Sequence, residues 1–176
     1  NLYKVDIDKN RSIDVTDIVR LVNIIINSGS PALDEELCAS DINEDSMVNV
    51  QDVVIITNMI LSDDRLMIKR RHNPIYEAEV NIENNSLYFE SEGSIRGIQL
   101  LIDSKENLYV NENINMDISY NVVENKHYIL VYSINGEILD SNKYKIFEST
   151  GTFKIDEIIA VNTNNESVNI FLNEEV

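Results

Sequence analysis

Oxygen-bearing side chains recur with the same spacing in two stretches near the start of the chain. In each stretch they fall at positions 1, 3, 5, 9 and 12 of a twelve-residue segment. The first set is Asp6, Asp8, Asn10, Asp14 and Asp17, and the second set is Asp41, Asn43, Asp45, Asn49 and Asp52. Position 7, which is Ser12 or Met47, would offer a backbone carbonyl oxygen. This is the ligand spacing of an EF-hand loop, and it predicts one calcium ion in each loop, two in all.

Two features of these loops differ from the usual EF-hand pattern. Position 12 is Asp rather than Glu in both copies, so the carboxylate would reach less far toward an ion. Position 6 is Arg11 or Ser46, where a left-handed backbone would favour Gly and another residue costs about 1 kcal/mol. Position 8 is apolar in both copies, and we expect Ile13 and Val48 to pair through a short β-bridge.

The two loops are part of a longer duplication. The second copy lies 35 residues after the first, and the match continues from the loops into residues 15–27 and 50–62. A repeat of this length indicates a duplicated supersecondary unit. We predict a helix over 15–27, a short helix over 33–40 and a second long helix over 50–61. The few residues before Asp6 leave no room for an entering helix, so each unit is expected to be a loop–helix half.

This arrangement resembles a dockerin module over about residues 3–62, with the phrases IDVTDIVRLVNIII and VNVQDVVIITNMIL carrying the resemblance. The resemblance implies a non-catalytic module of a secreted or surface protein that binds β-sandwich modules called cohesins in a calcium-dependent way. It places recognition residues at loop positions 10 and 11 and on the exposed helix face. In this chain those residues are Val15, Thr16, Arg20, Asn23, Val50, Gln51, Thr57 and Asn58.

The two long helices also predict a partner on physical grounds. Each is apolar around most of its circumference, whereas an ordinary surface helix is apolar on one stripe only. A module of about 60 residues cannot bury two such helices by itself. Their outer faces must therefore be covered by the rest of this chain, by another copy or by another protein.

The remaining two thirds of the chain show short alternating segments separated by turn signals. We predict strands over 76–82, 86–91, 97–103, 116–123, 127–133, 137–139, 143–147, 152–162 and 167–172, with a hairpin at Asn135-Gly136. Many short strands in about 100 residues favour a β-sandwich. The stretches GIQLLID and YILVYSINGEIL resemble a cohesin-like or carbohydrate-module-like sandwich. The expected fold is therefore α+β: a small helical dockerin-like module (1–66), a linker (67–74) and an antiparallel β-sandwich (75–176).

Composition restricts the classes of partner and the location. The 176 residues carry a formal net charge of −17, which disfavours nucleic acid and anionic membrane surfaces. No apolar run approaches the length of a membrane span. No catalytic constellation has local motif support, so we expect a non-enzymatic protein. Calcium loops would stabilise a small module in place of disulfides, and the millimolar calcium found outside cells favours an extracellular or cell-surface protein.

Carbohydrate binding is the alternative function, as part of a larger secreted enzyme. Tyrosines on the predicted strands could form a stacking surface for sugar rings; they are Tyr76, Tyr88, Tyr109, Tyr120, Tyr128, Tyr132 and Tyr144. Aromatic residues on strands more often pack in a core or pair across strands. Sugar binding would act regardless of oligomeric state, whereas self-association into a polymer or fibre, through contacts of the helices with the sandwich, would depend on calcium.

The calcium assignment predicts the effect of removing the last ligand of each loop. Replacing Asp17 and Asp52 together by Ala should weaken calcium binding and loosen both long helices, because each change removes one carboxylate from the coordination shell. Titration calorimetry with calcium measures this directly. An unchanged calcium affinity in the double variant would refute the assignment of these loops.

Overall fold

The computed structural model describes residues 4–62 and 75–174, which form an α+β protein. Within these residues there are three helices, α1 (Val15–Ile25), α2 (Asp34–Ser40) and α3 (Val50–Ser62), followed by nine strands. The predicted linker, 67–74, lies outside the described residues, so the proposed domain boundaries stay predictions. None of the helices in the described part of the chain has the length and apolarity needed to cross a membrane.

Helix α1 begins and ends where its local sequence dictates. The Asp14 side chain accepts a hydrogen bond from Thr16 N at 2.8 Å, and Asp17 accepts one from Asp14 N at 3.0 Å, which together form a capping box. The helix ends at Ile25, two residues before the predicted end, because Asn27 adopts a left-handed backbone with φ 55°. Helix α3 begins at Val50 as predicted and ends one residue later than predicted.

Nine strands form two sheets that face each other. They are β1 (Glu77–Glu83), β2 (Ser86–Ser91), β3 (Ile95–Asp103), β4 (Leu108–Val110), β5 (Asp117–Val123), β6 (Lys126–Tyr132), β7 (Lys143–Ser149), β8 (Lys154–Asn162) and β9 (Asn169–Glu174). One sheet has the order β4-β7-β2-β1-β9 and the other β5-β6-β3-β8. Every pairing is antiparallel except that of β1 with β9. Phe89, Phe147 and Leu100 lie in the core between the sheets, so the predicted β-sandwich is present.

Four details differ between the prediction and the structure. Strand β4 was not predicted, because it is defined by its pairing with β7, which is distant in sequence. The predicted strand 137–139 is reduced to a single bridge from Leu139 to Ile95. Asn135-Gly136 does not form a hairpin, since β6 already pairs with β3 and β5 on its two sides and has no free edge. No bridge joins Ile13 to Val48 among the described residues, although both side chains pack against the helical core.

The helices pack on the outer face of the four-stranded sheet. Ile129 and Val131 of β6 point into the sandwich core, while Leu130 and Tyr132 of the same strand belong to the core formed with the helices. That second core includes Val50, Val53, Val54 and Ile56 of α3, Leu21 of α1, and Val161 of β8. The chain therefore covers its own apolar helices, at least along α3, and the sheet is buried on both of its faces.

The hydroxyl of Thr57 leads to a stability prediction. Thr57 on α3 is 4% exposed, and its Oγ1 atom has no hydrogen-bond partner among the described residues. A buried hydroxyl without a partner costs about 1–3 kcal/mol, and valine has nearly the same shape. We expect Thr57→Val to raise the free energy of unfolding by about 1 kcal/mol, measured by urea denaturation.

Thr16→Val is the matched control on α1. The Thr16 hydroxyl donates to Asp8 Oδ2 at 2.6 Å, so removing it should destabilise the chain. A Thr57→Val chain no more stable than the unaltered chain would show that this hydroxyl is satisfied in solution.

Candidate functional site

The first loop gathers three carboxylates at the start of α1. Each of Asp6, Asp8 and Asp17 contributes one carboxylate oxygen, and these three atoms lie within 4.8 Å of one another. Asp6 uses its Oδ2 atom to accept a hydrogen bond from Arg11 N at 3.0 Å, and its Oδ1 atom is buried without a partner among the described residues. A buried carboxylate oxygen that has no donor is costly unless a cation binds it. The arrangement therefore fits a metal ion beside Asp6.

The carboxylate at position 12 links the two ends of the first loop. Asp17 Oδ1 accepts from Ile7 N at 2.6 Å and from Asp8 N at 3.2 Å, while Oδ2 accepts from Asp14 N at 3.0 Å. The side chain is fully buried, and burial raises the pKa of the Asp17 carboxyl against the opposing effect of these amides. Asp17 therefore closes the loop around the position that an ion would occupy.

The second loop repeats this design with one difference. Asp52 Oδ1 accepts from Ile42 N at 2.7 Å and Oδ2 accepts from Asn49 N at 2.9 Å, and burial raises the pKa of the Asp52 carboxyl. In both loops the ligands at positions 3 and 5 also bind each other: Asn10 Nδ2 donates to Asp8 Oδ2 at 3.0 Å, and Asn43 Nδ2 donates to Asp45 Oδ2 at 2.8 Å. Among the described residues, three acidic side chains converge within metal-binding distance only in the first loop.

The backbone confirms that both loops make the same turn. Arg11 and Ser46, at position 6, have φ of 73° and 71°, and Lys9 and Glu44, at position 4, have φ of 59° and 62°. These are left-handed conformations that cost a non-Gly residue about 1 kcal/mol each. The chain accepts this cost twice in each loop, in the same positions.

The donor set fits calcium, and binding itself stays a prediction. Every predicted side-chain ligand is an aspartate or an asparagine, which offers the hard oxygen atoms that calcium prefers. The residues that would hold the first ion are Asp6, Asp8, Asn10, Asp14, Asp17 and the carbonyl of Ser12; those for the second are Asp41, Asn43, Asp45, Asn49, Asp52 and the carbonyl of Met47.

The predicted recognition residues of the second copy contact the β-sandwich of the same chain. Val50 N, the first amide of α3, donates to Gln99 Oε1 at 2.9 Å. Gln51 Nε2 donates to the carbonyl oxygen of Asn165 at 2.6 Å, and Asn58 Nδ2 donates to Asn165 Oδ1 at 2.7 Å. Thr57 is buried on the same helix.

A glycine on β3 permits the close approach of α3. A Cβ atom added at Gly97 would lie 2.6 Å from Val50 Cγ2 and 3.2 Å from Val54 Cγ2. Any larger side chain would push the helix away from the sheet. Neither Gly97 nor its neighbours Gln99 and Asn165 were predicted as site residues; a lone glycine inside a strand was the one available signal.

The corresponding face of the first copy is open. Val15 and Val19, which match Val50 and Val54 at the repeat offset of 35, are 44% and 51% exposed. Thr16 is exposed and Asn23 is half-buried. The fourth predicted residue, Arg20, binds within the chain, since its Nε and Nη2 atoms donate to the two carboxylate oxygens of Glu36, both at 2.8 Å.

The tyrosines do not form one surface. Tyr128 and Tyr132 pack with the helical core, and Tyr144 packs against the sandwich core. Tyr120 stacks on His127, with 2.7 Å between the Tyr120 hydroxyl and His127 Nδ1. Tyr76 and Tyr109 are exposed at separate places.

Sheet topology and loop geometry define an α+β protein with a β-sandwich. Solved structures that resemble the chain match part of its length. A type I cohesin–dockerin complex from Clostridium thermocellum includes a chain that matches with 10% identity and a TM-score of 0.38, covering 59% of this chain and 92% of that one. A non-cellulosomal cohesin from Archaeoglobus fulgidus matches with 16% identity and a TM-score of 0.37, covering 60% and 88%. No protein-family model and no curated protein matches the sequence.

The ion pair between Arg20 and Glu36 predicts a dependence of stability on pH. Hydrogen bonds from Arg20, together with one from Leu33 N at 2.8 Å, lower the pKa of Glu36 to about 2. A carboxyl with a lowered pKa stabilises the fold above its unfolded pKa of about 4.3 and loses that effect as pH falls toward 2. We expect Glu36→Gln to melt below the unaltered chain at pH 6, with the difference disappearing near pH 2.

The adjacent Glu35 provides the control. Glu35 pairs with Lys9 on the exposed surface, so Glu35→Gln should change the melting temperature little at any pH. A gap between Glu36→Gln and the unaltered chain that stays constant from pH 6 to pH 2 would contradict this account.

Proposed function

We propose that this chain is a non-catalytic, calcium-dependent protein–protein assembly or anchoring module that acts outside the cell or on its surface. One observation carries the proposal. The face of α3 that contains Val50 and Val54 docks on an apolar sheet, while the same face of α1, with Val15 and Val19, is left open. A duplicated docking face with only one copy in use is suited to holding a second protein.

Calcium would set the shape of that face. Asp6, Asp8 and Asp17 lie close enough for mutual repulsion, which an ion of charge +2 would reverse. The ligands at positions 9 and 12 lie immediately before α1 and α3 and in their first turns, so an ion in each loop would order the start of each docking helix. In this proposal the helical part is dockerin-like, and extracellular calcium keeps it folded.

The partner of α1 in this proposal is a cohesin-like β-sandwich with an open apolar sheet. The contacts of α3 show what such a sheet must offer: a glycine opposite the valine pair and an amide or carboxylate oxygen for the first amide of the helix. The sheet of this chain is already covered by α3. A separate protein is therefore favoured over a polymer of identical copies, in which every α3 would have to leave its own sheet.

A bait with an uncovered sheet tests α1 directly. In the double variant Val19→Glu/Val54→Glu, the docking faces of α1 and α3 each carry a glutamate. Because a glutamate cannot be buried beside Gly97, neither helix can cover the sheet. In millimolar calcium we expect the immobilised bait to retain the unaltered chain through α1, and chelator to release it. Surface plasmon resonance measures both steps, and light scattering should show the unaltered chain alone as a monomer.

The soluble chain carries the controls. Val19→Glu should abolish retention, whereas Val122→Glu, an equally drastic change at an exposed position on β5, should not. Failure of a cooperatively folded bait to retain the unaltered chain would contradict docking through α1. A polymer of the unaltered chain that forms with calcium and disappears with Val19→Glu would favour self-assembly. Retention on polysaccharide that is insensitive to calcium would favour the carbohydrate-binding alternative.

A further inference from the structure

We propose that docking of α3 on the sandwich and calcium binding by the second loop are coupled, so that the sandwich tightens calcium binding in that loop and not in the first. This inference rests on the proposed calcium binding and adds its regulation. It follows from a difference in how the sandwich holds the two copies of the repeat.

The end of the second loop is also part of the docking contact. Asn49 and Asp52 are predicted ligands at positions 9 and 12, and the two residues between them bind the sandwich. Val50 N donates to Gln99 Oε1, and Gln51 Nε2 donates to the Asn165 carbonyl. Gln51 N in turn donates to Asn49 Oδ1 at 2.7 Å. Two docking residues therefore lie between two ligand residues within four consecutive positions.

Contacts with the sandwich hold these positions in place. Val50 is fully buried against Gly97, which allows no space for a shifted helix. Gln99 is itself fixed, because its Nε2 atom donates to Glu157 Oε1 at 2.7 Å. A loop end that is already ordered loses less conformational entropy when an ion binds, and the measured affinity rises with the fraction of chains in the binding geometry.

The first loop has no such support. Val15 and Thr16 are exposed, and no hydrogen bond joins residues 4–17 to the sandwich in the described part of the chain. The sandwich binds the first copy at the opposite end of α1, where Asn121 Nδ2 donates to the carbonyl oxygens of Ile26 and Asn27, both at 2.9 Å. The sandwich therefore contacts the ligand region of the second loop, but among the described residues its hydrogen bonds to the first copy lie at the end of α1 that is away from the first loop.

Coupling between two binding events is reciprocal. An ion in the second loop must strengthen docking of α3 by the same factor by which docking strengthens ion binding. Loss of that ion would weaken the docking of α3 and raise the fraction of chains in which Leu130, Tyr132 and Val161 on the sheet are uncovered. The second loop thus biases the closure of the sheet face, and the first loop acts on the open face of α1 alone.

The test measures each loop separately in the full chain. Asp6→Asn leaves the second loop as the intact site, and Asp41→Asn leaves the first. In each background, Gly97→Leu blocks docking by bulk, and Gln99→Leu removes the acceptor for Val50 N without adding a clash. We expect both changes to weaken calcium binding by the second loop about tenfold in titration calorimetry, and to alter the first loop by less than about twofold. Asn121→Ala is the control and should leave both affinities unchanged.

Hydrogen exchange supplies a second readout that does not depend on affinity. In calcium, Asp41→Asn should speed exchange at the amides of Val50 and of the sheet beneath α3, whereas Asp6→Asn should not. Equal weakening of both loops by Gly97→Leu and Gln99→Leu, or no weakening of the second, would overturn the coupling. If the unaltered chain binds no calcium, the proposed function itself fails; two ions bound with no effect of docking would refute the coupling alone.

Discussion

The contact between α3 and Gly97 is the constraint on which the rest of the molecule depends. Because Gly97 has no side chain, Val50 and Val54 reach the backbone of β3 and seal the outer face of the sheet. That sheet is apolar on both sides, since Leu130 and Tyr132 point away from the sandwich core. Without α3 these side chains would face water, and without the sheet the helices would lose the side of their core formed by Leu130, Tyr132 and Val161. Neither part is complete alone.

The acidic loops and this apolar contact meet in the first turn of α3. Asp52 is fully buried there and ties the start of the second loop to its end through Ile42 N and Asn49 N. Negative charge is therefore concentrated at the start of α3, in a chain whose formal net charge is −17. The two copies of the repeat share this design but differ in surroundings. Among the described residues, the sandwich forms hydrogen bonds with the start of α3 and with the chain just after the end of α1.

The sequence was sufficient for local features and insufficient for contacts between distant residues. Fixed ligand spacing and alternation were enough to predict the start of α1 and α3 and most strands, because those signals depend on neighbouring residues. Strand β4 is defined by its pairing with the distant β7. The hairpin prediction at Asn135-Gly136 was wrong because hairpin formation requires a free strand edge. The sheet face that receives α3 could not be predicted, since Gln99 and Asn165 look ordinary until the fold places them beside Val50 and Asn58.

The parallel pairing of β1 with β9 has a mechanical consequence. The first and last strands of the sandwich are neighbours over six paired positions, from Glu77 with Asn169 to Ile82 with Glu174. Tension between the start of β1 and the end of β9 would act along the strands, so all the rungs of this ladder would be loaded together in shear instead of opening one at a time. Resistance to such a load is set by the rate of unfolding and not by equilibrium stability. The register of this pair therefore favours slow unfolding under a load applied between the two ends of the sandwich.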